Sequence, residues 1–295
     1  MPSLLKIFLR SGPCWDSPAF LRFYLAALRN PPARLLLLAL RVKFSPQVLE
    51  NIRRSGLPAE EKGRLFSGAM NLFRAGGAYK TTAPFRSPLT DSAMLGKVPP
   101  GGLLAETGAS DGSSSLGLLE AARGAEVMLT DLQASFPYRD TALGRVFYNT
   151  DGRYTALKTL CLYLCSGGAS SPAAADGEIS LLNPLVEEKF PAARLLPLDI
   201  FSGELERKAD ALKCANVLNL EYFTAGEIKR ALQNLRRSLK EGGWLFICHN
   251  NARYKDGEAW VALQRSGEKM RLKEEANGHE LLPLLRSTDF SDLTG

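Results

Sequence analysis

One stretch of this 295-residue chain says most about its chemistry. It carries an acid and small residues at every second position: Glu106, Gly108, Ser110 and Gly112. The stretch follows a short apolar run and precedes a helical pattern, which predicts a turn between a strand and a helix. Glycine adopts backbone angles that other residues resist, and it lets a ligand lie against the main chain where the first N–H groups of a helix are free. The spacing therefore predicts a loop that binds a nucleotide-type cofactor.

Glu106 indicates which cofactor the loop would bind. A carboxylate directly before the glycines would repel a pyrophosphate, but it can accept hydrogen bonds from a cationic ammonium group. These two properties favour S-adenosylmethionine over a dinucleotide.

The loop resembles the first motif of the class I, Rossmann-like S-adenosylmethionine-dependent methyltransferases, which runs acidic-x-Gly-x-Gly-x-Gly. Ser110 replaces the middle glycine, and the outer two glycines remain to form the turn. About 20 residues further on, Asp131 ends an apolar run and matches the acid that accepts hydrogen bonds from the ribose hydroxyls in this fold. The resemblance implies a cofactor site made of Glu106, Gly108, Ser110, Gly112, Asp131, Leu132, Asp199, Ile200 and Asn216.

The resemblance continues along the rest of the chain. Residues 193–201 are similar to the third strand with its adenine-side acid, and residues 209–218 to the fourth strand. A helix over 225–240 is predicted to stop at Gly242 and Gly243, before an apolar fifth strand. The implied fold is α/β: a Rossmann-like, mostly parallel sheet with helices on both faces, preceded by an N-terminal helical region. Residues 214–223 and the short hairpin pattern after His249 are similar to the chemotaxis-receptor glutamate methyltransferases.

The candidates for catalysis follow the predicted carboxyl ends of strands, where ligands bind in open α/β sheets. Methyl transfer needs chiefly alignment and exclusion of water, because the sulfonium is already an activated donor. On this basis we assign His249, Tyr222 and Glu221 to catalysis, with a small molecule as the expected acceptor. His249 can serve as a base for a hydroxyl or nitrogen nucleophile, or it can simply be hydrogen-bonded at the strand end. Both interpretations remain open.

A second interpretation is a short-chain-type NAD(P)-dependent oxidoreductase. Residues 107–112 are also similar to the Thr-Gly-x-x-x-Gly-x-Gly turn of that family, and Tyr154 and Lys158 to its Tyr-x-x-x-Lys pair. On a helix these two residues would share one face, where the ammonium would lower the pKa of the phenol. However, the pair precedes the third predicted strand, and Ser114 replaces the last glycine. A cofactor-binding protein without transfer activity is a third interpretation.

The composition fits a cytoplasmic enzyme with one large core and an accessory region, since 45% of the residues are hydrophobic. Five scattered cysteines disfavour a disulfide framework and indicate a reducing compartment. Cys161 and Cys165 would share a helix face. Because the chain has only two histidines, we do not expect a metal site.

We predict two domains: an N-terminal helical region over residues 1–95, and a cofactor-binding domain over 96–295 with an insertion at about 132–192. The insertion contains a Ser/Gly/Ala-rich stretch, residues 166–177, that is predicted to be a flexible loop and part of a substrate cover. A helix is also predicted from Pro58 to about Arg74, before two glycines. Three further helix starts are predicted where a capping residue precedes a proline, at Ser17, Asn30 and Ser45.

Basic residues dominate the first 44 positions. Asp16 is the only acid there, against Lys6, Arg10, Arg22, Arg29, Arg34, Arg41 and Lys43. Apolar runs at 4–9, 20–25 and 35–40 alternate with these charges, a pattern that is typical of membrane-surface helices. The same pattern would form a lid or a homodimer contact, and it disfavours nucleic acid because the charges lie among aliphatic residues. No run reaches the length of a membrane span and no leader cleavage pattern follows, so the expected location is cytoplasmic, with contact at the inner membrane face as an open alternative.

Overall fold

Two compact units make up the chain, which a computed structural model describes over residues 10–75, 78–79, 84–122, 124–150, 155–166 and 174–294. The first unit combines Met1–Thr82 with Gln133–Pro191, and the second combines Ala83–Leu132 with Ala192–Gly295. Most of the predicted insertion therefore belongs to the same unit as the N-terminal region. In turn, residues 84–95 belong to the second unit rather than to the N-terminal region in which they were predicted.

The chain forms short helices and two large sheets. The helices, in chain order, are α1 (Pro18–Ala27), α2 (Pro31–Leu40), α3 (Gln47–Arg53), α4 (Ala59–Met70), α5 (Pro88–Leu95), α6 (Leu116–Ala121), α7 (Pro184–Lys189), α8 (Ala225–Arg237), α9 (Leu282–Leu285) and α10 (Ser291–Thr294). The strands are β1 (Gly12–Pro13), β2 (Arg74–Ala75), β3 (Ala78–Tyr79), β4 (Leu103–Thr107), β5 (Glu126–Asp131), β6 (Ser135–Thr141), β7 (Gly144–Tyr148), β8 (Thr155–Thr159), β9 (Leu162–Ser166), β10 (Gly177–Ser180), β11 (Leu195–Pro197), β12 (Ala209–Ala215), β13 (Leu239–Asn250), β14 (Glu258–Ser266) and β15 (Lys269–Ala276). No helix within the described ranges has both the length and the apolar character that crossing a bilayer requires.

Two helix starts of the first unit follow the predicted caps. Ser17 and Asn30 each accept a backbone hydrogen bond as N-cap of α1 and α2, whose first residues are prolines. The start predicted at Ser45 is wrong by one residue, because α3 begins at Gln47 with Pro46 as its N-cap; the Ser45 hydroxyl still accepts the N–H of Gln47 at 3.2 Å. The end predicted for α4 is wrong, because this helix stops at Met70 and the chain then turns into β2. The predicted glycine stop at 76–77 lies outside the described residues.

The insertion forms a sheet where the sequence spacing indicated a helix. The six strands have the order β1-β9-β8-β7-β6-β10, and every neighbouring pair is antiparallel. Lys158 lies in β8 and Cys165 in β9, so neither lies on a helix as predicted. Ala156, Tyr163 and Cys165 are buried at alternate positions of these strands, which is the period of two that a half-buried strand requires. Tyr154 and most of the predicted loop at 166–177 lie outside the described residues.

The second unit is built on a seven-stranded sheet with the order β11-β5-β4-β12-β13-β14-β15. The first five strands are parallel to their neighbours, and β14 and β15 continue the sheet as antiparallel hairpins. The α/β class is thus confirmed, with a sheet that is partly antiparallel. Helices cover both faces, since Leu103 of β4 packs in a cluster with Leu232 of α8, and Leu104 in another cluster with Met94 of α5.

Helix α8 shows how local sequence sets an element and where it fails to do so. Thr224 and Glu227 form a capping box at its start. The helix ends at Arg237, not at the predicted glycines, because Leu239 already pairs with Ala209 of β12. Gly242 and Gly243 lie inside β13, where the register with β12 shifts.

Candidate functional site

The turn after β4 lies where the strand order of the sheet reverses. β4 pairs with β5 on one side and with β12 on the other, and all three strands are parallel. Their last residues, Thr107, Asp131 and Ala215, therefore meet at one edge of the sheet. In open α/β sheets this reversal opens a crevice in which ligands bind.

Three residues of this turn have left-handed backbone angles. Gly108, Ser110 and Gly112 have φ values of 74°, 58° and 79°. A Cβ atom at Gly108 would lie 2.2 Å from Cγ2 of Val217, so only glycine fits there. Ser110 adopts the same conformation with steric strain, because residues that have a Cβ atom are crowded at left-handed backbone angles. At two of the three positions, therefore, no side chain covers the main chain of the turn.

Asp131 connects the turn to the second strand. Its Oδ2 accepts the backbone N–H of Ser110 at 2.8 Å, and 8% of the residue is exposed. The Ser110 hydroxyl is buried and has no hydrogen-bond partner among the described residues. The next residue, Leu132, is 43% exposed. The structure thus brings together Gly108, Ser110, Gly112, Asp131 and Leu132 of the predicted cofactor site.

Glu106 has a partner that the sequence does not reveal. Its Oε2 lies 2.9 Å from Nζ of Lys213, which occupies the paired position on β12. The same Nζ lies 2.7 Å from Oδ1 of Asp91 on α5, and all three side chains are buried. Burial alone would lower the pKa of Lys213, but the charges of Glu106 and Asp91 outweigh it and raise that pKa above its ordinary value. Burial raises the pKa of Asp91 to about 6, although Lys213 opposes this.

Asp199 and Ile200 make contacts that stabilise the fold. The two carboxylate oxygens of Asp199 accept the N–H of Phe201 at 2.9 Å and the hydroxyl of Ser202 at 2.7 Å, which closes the turn after β11. Ile200 is 6% exposed and packs in the core beside α8. Both residues hold the end of the third strand.

Asn216 joins the ends of β12 and β13. Its Oδ1 accepts the N–H of Asn250 at 2.7 Å, and its Nδ2 donates to Oδ1 of Asn250 at 2.7 Å. The hydroxyl of Ser87 donates to the same Asn250 oxygen at 3.1 Å. Sequence reasoning missed Asn250 and Ser87, because this reciprocal amide pair joins residues 34 positions apart.

His249 lies at the end of β13 in a cluster of ionisable groups. Its Nδ1 is 3.7 Å from Oε1 of Glu280, and its ring centre is 6.3 Å from that of His279. Burial lowers the pKa of His249, Glu280 opposes this, and Arg253 adds to it. Burial and the neighbouring His249 lower the pKa of His279 to about 4. Both shifts favour the neutral form of the ring, and a neutral His249 can accept a proton.

Glu221 and Tyr222 follow β12 in a loop held by Asn219. The Asn219 Oδ1 accepts the N–H groups of both residues at 3.0 Å. Tyr222 is 69% exposed, and the structure gives no side-chain contact that brings it to His249 among the described residues. The charge of Glu221 does reach His249, where it raises the pKa of the ring.

Buried acids outnumber buried bases at this edge of the sheet. Within the described part of the second unit, Lys213 is the only buried cation there, against Asp91, Glu106, Asp111, Asp131 and Glu258. Such an excess of negative charge favours a cationic ligand over a pyrophosphate. Among the described residues, no group of three or more His, Cys, Asp or Glu side chains is arranged to hold a metal ion.

No protein-family model and no curated protein sequence matches the chain. Solved structures do match it. A SAM-bound amino pentose methyltransferase from Micromonospora echinaspora shares 14% identity over 63% of this chain and 65% of its own, with a TM-score of 0.32. A TehB-like SAM-dependent methyltransferase from Corynebacterium glutamicum shares 18% identity over 59% of this chain and 66% of its own, with a TM-score of 0.33.

A sugar N-methyltransferase from a Streptoalloteichus species shares 15% identity over 64% of this chain and 71% of its own, with a TM-score of 0.32. The chain spans just under two thirds of the length of the first two structures. At these levels of similarity, the function has to be argued from the site itself.

Proposed function

We propose that the chain is a class I S-adenosylmethionine-dependent methyltransferase that acts on a small-molecule acceptor. The observation that carries this proposal is the turn after β4, where Gly108, Ser110 and Gly112 are left-handed and the Ser110 N–H donates to Asp131. The turn lies at the reversal of strand order, and its two glycines leave the main chain open to a bound cofactor.

The residues at this edge fit S-adenosylmethionine better than a dinucleotide. The acids around the turn attract the positive sulfonium and ammonium groups of this cofactor, whereas they would repel a pyrophosphate. Gly108, Ser110, Gly112, Asp131 and Leu132 would hold the cofactor, with the Asp131 carboxylate accepting hydroxyl hydrogen bonds. The remaining predicted residues would support the strand ends: Glu106, Asp199, Ile200 and Asn216.

The cofactor supplies an electrophilic methyl group, so the chain has to align the acceptor and receive its proton. We assign the proton to His249, because burial keeps this ring neutral. The Glu280 carboxylate, 3.7 Å from Nδ1, would stabilise the imidazolium that forms, and the charge of Glu221 acts in the same direction.

Isothermal titration with S-adenosylmethionine tests the cofactor assignment. Gly112→Val should block approach to the main chain, and Asp131→Ala should remove charge-assisted hydrogen bonds worth roughly 1.5–3 kcal/mol each. Affinity should fall at least about tenfold in each variant. Matched controls are Gly101→Val, at a glycine with a φ of 72° and open space around it, and Asp292→Ala, at an acid outside this edge.

Two results would contradict the assignment. One is unchanged affinity in correctly folded Gly112→Val and Asp131→Ala variants. The other is reduction of NAD or NADP by the wild type that Tyr154→Phe abolishes, since a methyltransferase has no nicotinamide chemistry to lose. The oxidoreductase interpretation lacks structural support at Lys158, whose Nζ lies 2.5 Å from Oδ2 of Asp16.

A further inference from the structure

Helix α2 of the first unit exposes most of its apolar side chains. Leu35, Leu36, Leu38 and Leu40 are 69%, 60%, 56% and 53% exposed, while Leu37 is 6% exposed and anchors the helix. A helix of a globular domain normally turns an apolar stripe toward the core and polar residues toward water. Here the arrangement is reversed, and an exposed apolar patch of this kind is typical of a contact surface.

Two arginines lie beside these leucines with their charges unpaired. Arg29 and Arg34 are exposed, and neither guanidinium has an ion-pair or hydrogen-bond partner in the described part of the chain. They line a shallow cavity of about 380 Å³ together with apolar side chains. The apolar lining residues are Leu28, Pro31, Leu35 and Leu38.

No acid of the same segment offsets these charges at the surface. Asp16, the only acid among the first 44 residues, is 9% exposed. Its carboxylate accepts the N–H of Ser45 at 2.7 Å and pairs with Lys158 at 2.5 Å. Arg22 of α1 is paired with Glu61 of α4 at 2.9 Å, so Arg29 and Arg34 are the arginines of this region whose positive charge stays uncompensated at the surface among the described residues.

Two aromatic side chains on and just before α1 are also exposed. Phe23 and Trp15 are each 61% exposed. Their rings flank that of Phe20, at centre-to-centre distances of 6.1 Å and 5.2 Å. Trp is enriched at the interface between a membrane and water, and Trp, Phe and Leu form the apolar face of helices that lie in this interface.

We propose that this leucine–arginine surface, formed by Trp15, Phe23, Arg29, Arg34 and the exposed leucines of α2, docks on an anionic phospholipid membrane. The leucines enter the boundary of the acyl chains, while the two guanidinium groups bind lipid phosphates. The charge argues against a second copy of this chain as the occupant. A two-fold symmetric dimer through this surface would place both copies of the two unpaired arginines, four positive charges, in one interface without an acid to balance them.

Co-sedimentation with vesicles tests the proposal on the full chain. The wild type should bind vesicles of phosphatidylcholine with 30% phosphatidylglycerol, in about 50 mM salt, and should bind pure phosphatidylcholine far more weakly. Binding should fall in about 500 mM salt, because salt screens exposed charges. Each arginine near an anionic surface contributes roughly fivefold, so Arg29→Glu/Arg34→Glu should weaken binding by at least about thirtyfold.

The leucines are tested by Leu35→Ser/Leu38→Ser, which should weaken binding at least about tenfold. Its matched control is Leu143→Ser/Leu160→Ser, at leucines that are 74% and 95% exposed elsewhere in the same unit. The charge control is Arg54→Glu/Arg64→Glu, whose side chains are 78% and 67% exposed. Both control variants should bind as the wild type does, and all four should retain its melting temperature within a few degrees.

Three outcomes would overturn the proposal. The first is a wild type that ignores anionic vesicles at low salt. The second is a loss of binding in the control variants that equals the loss in the test variants. The third is a dimer, measured by light scattering, that Leu35→Ser/Leu38→Ser converts to a monomer, because the surface would then be occupied by a second copy.

Discussion

Lys213 is the only cation among the buried charges at the carboxyl ends of the strands, within the described residues, so removing it exposes how those charges balance. Lys213→Met leaves Glu106 and Asp91 buried without a positive partner, and it should lower the free energy of unfolding by about 3–5 kcal/mol. Urea unfolding at pH 7 measures this loss. The matched control is Lys240→Met, which removes a half-exposed ion pair with Asp210 and should cost about 1 kcal/mol or less.

The same variant has a predicted pH dependence. The pKa of Asp91 is already raised to about 6, so its carboxyl contributes stability that is present below about pH 4 and is lost as the pH rises through 6. Without Lys213, which lowers that pKa, the folded state holds the proton still more strongly. The deficit of Lys213→Met should therefore shrink as the pH falls from 7 to 5. A deficit that equals that of the control, or that does not change with pH, would refute this account of the cluster.

At the scale of elements, α5 depends on a cap from a distant strand. Ser87 makes no side-chain cap hydrogen bond, and Glu258 of β14 accepts the N–H groups of Leu89 and Thr90 at 3.1 Å instead. The Thr90 hydroxyl also donates to this carboxylate, which is 1% exposed. Two free N–H groups at the start of a buried helix would otherwise lack an acceptor.

Glu258→Ala should lower the free energy of unfolding by about 2–4 kcal/mol, since each buried donor left unpaired costs about 1–3 kcal/mol. Glu258→Gln keeps one acceptor oxygen and should lose less. Hydrogen exchange of the Leu89 and Thr90 amides should accelerate in the alanine variant. Glu275→Ala, at an exposed acid of β15, is the control and should stay within about 0.5 kcal/mol. Unchanged exchange at both amides would show that the cap does not hold α5.

The sequence predicts those elements whose signals are local. The caps at Ser17 and Asn30 mark helix starts because each acts within one turn, and the apolar runs ending at Thr107 and Asp131 mark central strands. The prediction that Lys158 lies on a helix was wrong, because it was based on the spacing of Tyr154 and Lys158 alone. A separation of four residues puts two side chains on one face of a helix, but it does the same in a strand, and Lys158 lies in β8.

Contacts between site residues on different strands cannot be predicted from local sequence patterns. Glu106 is visible as an acid before glycines, but its pairing with Lys213 depends on the register between β4 and β12. The same holds for Asn216 and Asn250, which meet only when β12 and β13 are aligned. A sequence pattern therefore predicts which residues are buried, but it does not predict which charged side chains come into contact.

At the scale of the whole molecule, the chain passes between its two units three times. The parallel crossover from β5 to β11 carries residues 133–191, which belong to the first unit. The second unit holds the seven-stranded sheet, the core clusters on both of its faces and all candidate site residues. It therefore has what an independent fold requires.

A shortened chain tests this independence. Residues 84–132 joined to 192–295 by about 15 Gly/Ser residues should unfold cooperatively, with the circular dichroism of a mixed α/β protein, because a parallel crossover needs about a dozen residues. The control uses a linker of about three residues, which is too short for the crossover and should give an aggregated product. Non-cooperative unfolding of the long-linker chain would show that the second unit needs the first.

The interleaved path also sets an order in time. During synthesis α2 emerges early, whereas Pro191, the last residue of its unit, is added about 150 residues later. At about 5–20 residues per second this delay is on the order of 10–30 s. Throughout the delay the growing chain already displays the leucines and arginines of α2, while the strands that complete its unit have yet to be made. The residues of the proposed docking surface on α2 are therefore made well before the unit that carries them can close.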